Sequence, residues 1–351
     1  MSKSTENQQK IIGITIRGGA MSSSDIHGAY LAFGEDVSLV TVKRILSEMV
    51  KNGLLNVVGH GPSTVYSASV LSRIFFNIDA KTYCAQEPDA RYGLDYFNFD
   101  LFRNLSADIL GTAELIVLEN ATQEYKKRIA GVSATVQKKE LERLVIELSW
   151  KSSKIEGNTY TLLDTEKLLL ENKEAAGHER GEAQMIINHK NAFALVHEER
   201  NKFKNLTRAN LERLHGVLTT GLDVKIGLRG TPVGVLGSKY RPLDNIHQIN
   251  EAVDELCAAV SRAKTPYAKA LIALIGISYI QPFEDGNKRT SRLMANAILL
   301  AHGCAPLSYR SVDENEYREA VLVFYEINSI VPIKKIFIEQ YTFAAHNYAV
   351  K

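Results

Sequence analysis

The spacing of apolar residues over the first seventy positions predicts three helices followed by a β-hairpin. The first two helices are predicted for residues 10–17 and from residue 22 through about Phe33. Residues 38–52 give the clearest helical pattern, with Ser38 as N-cap and Asn52-Gly53 as the stop. The apolar residues of that segment share one face: Val42, Ile45, Leu46, Met49 and Val50. Two short runs of β-forming residues, 54–58 and 64–68, flank a Gly/Pro turn and predict the hairpin.

This order of elements resembles a winged helix over residues 1–70, with residues 38–52 as the recognition helix and the hairpin as the wing. Polar and basic residues on that helix can meet the phosphates and base edges of duplex DNA. They are Ser38, Thr41, Lys43, Arg44 and Lys51. The wing tip, residues 59–64, has no arginine for the minor groove. Protein docking by the same fold therefore stays open beside DNA binding.

The remainder of the chain predicts a mainly α fold. Residues 71–105 are irregular and aromatic-rich, and we predict an ordered connector because so many aromatic rings are unfavourable in water. Residues 106–351 form a second domain that is almost wholly helical. Its predicted helices lie near 106–135, 138–154, 163–173, 180–198, 207–219, 246–262, 266–280, 288–302 and 313–326. Residues 229–240 are the exception, because they are β-like and punctuated by glycine.

One junction between two helices carries the candidate chemistry. Residues 266–280 are apolar on nearly all sides, which predicts a buried central helix that stops at Gln281-Pro282. A new helix opens at about Lys288. The free amides and the dipole at its start favour an anion, and three cations accompany them. The predicted phosphate-binding residues are Gly286, Asn287, Lys288, Arg289 and Arg292, and the adjacent Asp285 can hold Mg²⁺ through its carboxylate.

Composition narrows the class of protein. Hydrophobic residues make up 45% of the 351 positions, charged residues make up 23%, and the net charge is +2. Such values are typical of a soluble globular protein and show no global attraction to an anionic membrane. No apolar run is long enough to span a bilayer, and the polar amino terminus lacks the apolar core of a secretory signal. Three widely spaced cysteines predict free thiols, so we expect a cytoplasmic protein without a membrane partner.

The stretch 281–292 resembles the motif of the Fic family (filamentation induced by cyclic AMP), H-x-F-x-[D/E]-G-N-[G/K]-R-x-x-R, at every functional position but the first. Two further segments agree with the resemblance. Ser152, Glu156 and Gly157 match the family's inhibitory motif [S/T]-x-x-x-E-[G/N], on a helix expected at about 138–157. Residues 229–240 are similar to the family's β-hairpin flap, with Thr231, Val233, Val235 and Gly237 as the target-docking positions.

The resemblance implies a helical protein that binds ATP with Mg²⁺ and transfers AMP to a hydroxyl of a target protein or of its own chain. It implies that Asp285 is the Mg²⁺ ligand, that Arg289 and Arg292 hold the distal phosphates, and that Phe283 anchors the loop. It also implies that the flap aligns the target segment by strand addition. Glu156 is expected to compete with the γ-phosphate for an arginine.

Two departures from the motif leave three hypotheses open. Gln281 replaces the histidine that acts as the family's base, and an amide has no proton affinity near neutral pH. Lys288 stands at a position that is lysine in the related death-on-curing toxins, which transfer phosphate. The hypotheses are an autoinhibited AMP transferase, a nucleotide-sensing pseudoenzyme that regulates a DNA-binding domain, and a phosphotransferase. A homodimer is compatible with each of them.

Overall fold

The structure, a computed structural model, describes residues 3–32, 34 and 37–349. Its helices are α1 (Lys3–Gly18), α2 (Ser23–Leu31), α3 (Leu39–Lys51), α4 (Val70–Ile74), α5 (Ala80–Cys84), α6 (Thr112–Ala130), α7 (Ala134–Ile155), α8 (Leu162–Glu171), α9 (Arg180–Glu198), α10 (Arg208–Leu218), α11 (Ile246–Arg262), α12 (Pro266–Ile280), α13 (Asn287–Ala301), α14 (Glu314–Ile327) and α15 (Val331–Asn347). Its strands are β1 (Met21–Ser22), β2 (Leu55–Val58) and β3 (Val65–Ala68). The protein is therefore mainly helical, as predicted.

The chain divides into two compact units. The first comprises Met1–Leu105, Val235–Arg241 and Glu319–Ile333. The second comprises Ser106–Gly234, Pro242–Arg318 and Lys334–Lys351. Each unit is thus assembled from separate stretches of the chain, an arrangement that a reading in chain order does not reveal.

The first unit contains the predicted helices and hairpin. β2 and β3 pair antiparallel from Leu55 opposite Ala68 to Val58 opposite Val65. β1 adds to β3 and gives the sheet order β1-β3-β2. Two residues are too few to leave a sequence pattern, so β1 was not predicted. The predicted end of the second helix, Phe33, lies outside the described residues.

Helix α3 is stabilised by capping residues at both ends and by an apolar face that is buried. The Ser38 hydroxyl accepts a hydrogen bond from the Thr41 amide at 3.3 Å, and Asn52 is the C-cap. Four of the five predicted apolar residues are buried in a cluster with α1 and α2, while Val50 is partly buried. The four are Val42, Ile45, Leu46 and Met49.

Helices α12 and α13 lie at the centre of the second unit. Thr265 caps α12, Pro266 opens it, and almost every side chain from Tyr267 to Ile280 is buried, as predicted. Gly276 permits close packing of α11, because a Cβ there would lie 2.2 Å from the Leu256 side chain. Gln281 is the C-cap of α12, and the candidate site begins there.

Two compositional expectations have structural counterparts. Cys84, Cys257 and Cys304 are free thiols. Among the described residues, no helix is both long enough and apolar enough to cross a membrane.

Candidate functional site

The junction between α12 and α13 begins with a residue in a strained conformation. Gln281 is the C-cap of α12 and has a left-handed backbone, with φ of 50°. This follows from Pro282, which disfavours the α region for its predecessor. The Gln281 side chain is 8% exposed, and its Nε2 donates to the Ser278 carbonyl at 2.6 Å. The amide therefore turns back onto its own helix.

Phe283 and Asn287 brace the loop that follows. Phe283 is fully buried and stacks on His215, with ring centroids 3.7 Å apart and planes 7° apart. The Asn287 side chain accepts from the Phe283 amide and donates to the Phe283 carbonyl, both at 2.8 Å. His215 Nε2 donates to the Asp285 carbonyl at 3.0 Å. The Asn287 side chain thus holds the loop, and its backbone amide belongs to the first turn of α13.

Gly286 is the N-cap of α13, and none of the described side chains caps that helix. Its φ of 77° lies in the left-handed region that favours glycine. The uncapped amides of the first turn are at the positive end of the helix dipole. The start of α13 therefore has free amides of the kind that the predicted anion site requires.

Arg289 and Asp285 form an ion pair across one turn, with Nη2 and Oδ2 2.9 Å apart. The Arg289 side chain is 2% exposed and that of Asp285 is 66% exposed. Burial lowers the pKa of Arg289, and the neighbouring Arg292 adds to the effect. Arg289 Nη1 is buried and has no hydrogen-bond partner among the described residues. An unpaired buried guanidinium nitrogen is costly, so this donor is suited to an incoming acceptor.

Glu156 lies over the same cluster of cations. Its Oε1 is 2.8 Å from Arg292 Nη1, and its Oε2 is 3.4 Å from Lys288 Nζ. Burial alone raises the pKa of Glu156, but the charges of Arg292 and Lys288 outweigh it and leave the pKa below its ordinary value. The Glu156 carboxylate thus already pairs with two of the three predicted phosphate-binding cations.

Ser152 and the end of α7 hold this arrangement in place. Arg292 Nε donates to the Ser152 hydroxyl at 2.9 Å, and Nη2 donates to the Ser152 carbonyl at 2.7 Å. α7 ends at Ile155, Glu156 is its C-cap, and Gly157 has a φ of 100°. Arg318 Nε donates to the Ile155 carbonyl at 3.0 Å. The structure therefore brings Ser152, Glu156 and Gly157 to the junction between α12 and α13, although Ser152 lies 140 positions before Arg292 in the chain.

Two histidines that the sequence analysis missed support this site. His189 on α9 is fully buried, and its Nε2 lies 2.8 Å from the Ser152 hydroxyl. Burial, together with the charges of Arg292 and Arg289, lowers the pKa of His189 to about 3. Burial also lowers the pKa of His215. Neither residue belongs to a motif, so only their positions in the fold identify them.

The flap differs from its prediction. Residues 229–240 contain no strand, so the predicted β-hairpin is not formed. Arg229 Nη1 donates to the Thr231 carbonyl at 2.7 Å, and Val235 accepts from the Ser238 amide in a turn where Gly237 has a φ of 75°. Val233 is half-buried. The physical reason is that three glycines and one proline interrupt the segment, and no strand among the described residues pairs with it.

The predicted DNA-binding residues lie on α3 in the first unit. Lys43, Arg44 and Lys51 are exposed, while Ser38 and Thr41 bond to each other, with their hydroxyl oxygens 3.0 Å apart. Val58 on the wing is 68% exposed. The hairpin that the sequence predicted as the wing therefore exposes an apolar side chain on β2.

Comparisons with known proteins identify the domain around the junction. The Fic/DOC family model matches residues 205–299. A curated relative, protein adenylyltransferase Fic of Nematostella vectensis, is 28% identical over 186 residues, which are 52% of this chain and 44% of that protein. The chain thus matches less than half the length of this relative.

Solved structures agree in fold. A Fic domain containing signalling protein from Bacteroides thetaiotaomicron has a TM-score of 0.56 at 17% identity, covering 66% of this chain and 94% of the other. Residues 134–508 of Fic-1 from C. elegans have a TM-score of 0.57 at 16% identity, covering 67% and 71%. The motif loop 281–292 lies inside the matched segment, and residues 205–299 of this chain match the Fic/DOC family model.

Proposed function

We propose that the start of α13 binds ATP with Mg²⁺ and that the protein transfers AMP to a hydroxyl of a target protein or of its own chain. The observation that carries the proposal is the set of three cations, Lys288, Arg289 and Arg292, at an uncapped helix start. Cations oppose the dipole at that end of a helix, so an anion is needed to make the arrangement favourable. The name of the curated relative supports AMP transfer as the reaction class.

The residues fit a nucleotide with its metal. The unpartnered Arg289 Nη1 and the open amides after Gly286 would hold phosphate oxygens. Asp285 would hold Mg²⁺, because its carboxylate is 66% exposed and Mg²⁺ commonly takes few protein ligands beside water and phosphate. When bound, Mg²⁺ neutralises phosphate charge.

Glu156 makes this an autoinhibited site in our proposal. A γ-phosphate and the Glu156 carboxylate would compete for Arg292, which is fully buried and already paired. A charge-assisted pair is strong when it is shielded from water, so ATP binding requires Glu156 to move. Arg292 stays in place during that movement, because Ser152 holds it through two further hydrogen bonds.

Gln281 sets the expected rate. Its amide cannot take a proton, and its Nε2 is engaged by the Ser278 carbonyl. Loss of a general base typically costs about 10²–10⁴ in rate, so AMP transfer by the natural chain is slow in this proposal. The same observation favours the second candidate, a nucleotide-sensing protein without turnover.

The amino-terminal residues 1–70 are proposed to form a winged-helix regulator domain. The three helices, the antiparallel hairpin and the exposed Lys43, Arg44 and Lys51 support it. Its partner is duplex DNA in this proposal, and its small net charge implies that a homodimer provides the affinity.

Intact-mass spectrometry after incubation with ATP and Mg²⁺ tests the proposal. Wild type and Glu156→Gly are compared, with a sample lacking Mg²⁺ as the control. An added adenylyl group on the Glu156→Gly protein is the expected result, and an added phosphoryl group points instead to phosphate transfer through Lys288. An unchanged mass in a protein that nevertheless binds ATP identifies the nucleotide-sensing alternative.

A further inference from the structure

We infer that Lys288 is a positioning residue for Glu156. Arg292 and Lys288 act as two clamps on the Glu156 carboxylate, and the arriving nucleotide releases the Lys288 clamp. The inference rests on the proposed nucleotide site and adds to it the way in which inhibition is set and relieved. It gives a role to the lysine at the position where the motif allows glycine.

The two oxygens of the Glu156 carboxylate have different partners. Arg292 Nη1 holds Oε1 at 2.8 Å, and Lys288 Nζ holds Oε2 at 3.4 Å. Arg289 faces the same carboxylate at longer range. A carboxylate held on both oxygens has one preferred orientation, whereas a single ion pair leaves it free to rotate about its terminal bond.

The two clamps differ in mobility. Arg292 is fully buried and bonded to both the hydroxyl and the carbonyl of Ser152, so its position does not depend on Glu156. The Lys288 side chain is 33% exposed, and its ammonium is paired with Glu156 among the described residues. A lysine carries its charge on a flexible four-carbon stem. Lys288 is therefore the cation that can exchange one anion for another.

The position of Lys288 makes phosphate the natural competitor of Glu156. Asn287 is the first residue of α13 and Lys288 is the second. The Lys288 side chain therefore extends from the same helical turn whose free amides form the proposed anion site. A phosphate at those amides attracts Lys288 away from Glu156 Oε2. The nucleotide thus weakens the pair between Lys288 and Glu156, which keeps Glu156 in the site. Lys288 therefore raises the affinity for ATP by attracting phosphate and lowers it by holding Glu156 in place.

A double-mutant cycle separates these contributions. Affinity for ATP·Mg is measured by calorimetry for wild type, Lys288→Met, Glu156→Gly and the double variant. Methionine keeps the length of the side chain and removes the charge. In the Glu156→Gly background, Lys288→Met removes only attraction to phosphate and weakens binding. In the wild-type background it also loosens Glu156, so the loss is smaller or becomes a gain.

The change in ATP·Mg affinity caused by Lys288→Met is compared between the Glu156→Gly and wild-type backgrounds, and the ratio of the two changes measures how strongly Lys288 holds Glu156. We expect it to be about two- to fivefold, the range of a partly exposed ion pair. Lys225→Met is the matched control, because Lys225 is 81% exposed and pairs with Glu284 in the same loop at 3.6 Å. Its effect is expected to be equal in both backgrounds.

If Lys288→Met changes the ATP·Mg affinity equally in both backgrounds, Lys288 does not position Glu156 and acts only as a phosphate contact. If Glu156→Gly binds no ATP, the nucleotide site itself is wrong. The two failures are thereby distinguished within one set of four proteins.

Discussion

Nε2 of His189 lies 2.8 Å from the Ser152 hydroxyl, and that contact fixes the direction in which the hydroxyl hydrogen points. Arg292 Nε can only donate, so Ser152 Oγ is the acceptor at 2.9 Å. The hydroxyl hydrogen is then free to be donated to the lone pair of His189 Nε2. This requires a neutral histidine, which agrees with the lowered pKa of His189. A buried chain of donors and acceptors thus holds the arginine that Glu156 covers.

The first prediction concerns Ser152→Ala. The substitution leaves Arg292 Nε without its acceptor and His189 Nε2 without its donor, so we expect the free energy of unfolding to fall by about 1–3 kcal/mol. Urea denaturation measures it. Ser149→Ala on the same helix is the control, because Ser149 is 1% exposed and its hydroxyl has no partner among the described residues. An equal loss in both variants contradicts a special role for Ser152.

The second prediction is a pH dependence. The pKa of His189 is about 3 in the folded protein and about 6.5 when unfolded, so below pH 6.5 the unfolded chain binds the extra proton. Stability from this group is therefore present above pH 6.5 and lost as the pH falls. Between pH 7 and pH 5 the loss is about 2 kcal/mol.

His189→Asn removes this dependence and serves as the comparison for the pH series. The measurement is the difference in unfolding free energy between the two proteins at pH 7, 6 and 5, which we expect to shrink as the pH falls. The other histidines and the carboxylates are common to both proteins and cancel. Parallel curves would show that His189 also takes up a proton in the folded state.

Local chemistry made the central junction predictable from the sequence. Proline ends α12 at Ile280, the positive φ of Gly286 permits the loop, and the three cations predict an anion site, all within twelve consecutive residues. His189 and His215 were missed because their roles arise from contacts with residues distant in the chain, 37 positions away at Ser152 and 70 at Asp285. No periodicity or motif records such pairings.

The flap was mispredicted for a related reason. Residues 229–240 alternate in a β-like manner, but a strand needs a partner, and the described chain supplies none for them. Arg229 instead bonds to carbonyls, including that of Gln281 at 2.6 Å through its Nε. Side-chain alternation indicates the capacity to pair, and only the tertiary structure decides whether pairing occurs.

The third prediction separates the ligand role of Gly286 from its backbone role. Gly286→Ala places a side chain in a left-handed conformation, at a cost of about 1 kcal/mol, and its Cβ would lie 3.4 Å from Thr219. Gly303→Ala is the control, because Gly303 has a φ of 68° at the other end of α13 and no atom within 4 Å of an added Cβ. We expect similar losses of stability, but weaker ATP binding for Gly286→Ala alone. Equal ATP affinity in the two variants would place the ligand elsewhere.

The fourth prediction concerns the missing base. In the Glu156→Gly background, Gln281→His is expected to raise AMP transfer by about 10²–10⁴, because an imidazole can take the proton that the amide cannot. The assay is incorporation of label from α-labelled ATP, with the chain itself as acceptor. Calorimetry on the same proteins verifies that ATP affinity is unchanged. A double variant that labels no faster than Glu156→Gly shows that Gln281 is not the limiting defect.

The fifth prediction concerns DNA binding by the first unit. Each phosphate that the protein neutralises releases counterions, so log affinity should fall with log salt at a slope of about −0.9 per contact. The exposed Lys43, Arg44 and Lys51 limit the slope to a few contacts per chain, which implies weak binding by a monomer. The full chain is titrated against its own promoter DNA by fluorescence anisotropy across a salt series. Lys43→Ala/Arg44→Ala should weaken binding and flatten the slope by about two contacts.

The control for this titration removes two positive charges from residues that lie outside α3. Lys81 and Arg103 are exposed residues of the first unit, and Lys81→Ala/Arg103→Ala should leave the slope unchanged if α3 is the contact. Equal weakening by both double variants would indicate attraction by net charge rather than by the recognition helix. Absence of binding at low salt would exclude DNA and favour protein docking by the same helices and hairpin, in which Val40 and Val58 are exposed apolar side chains.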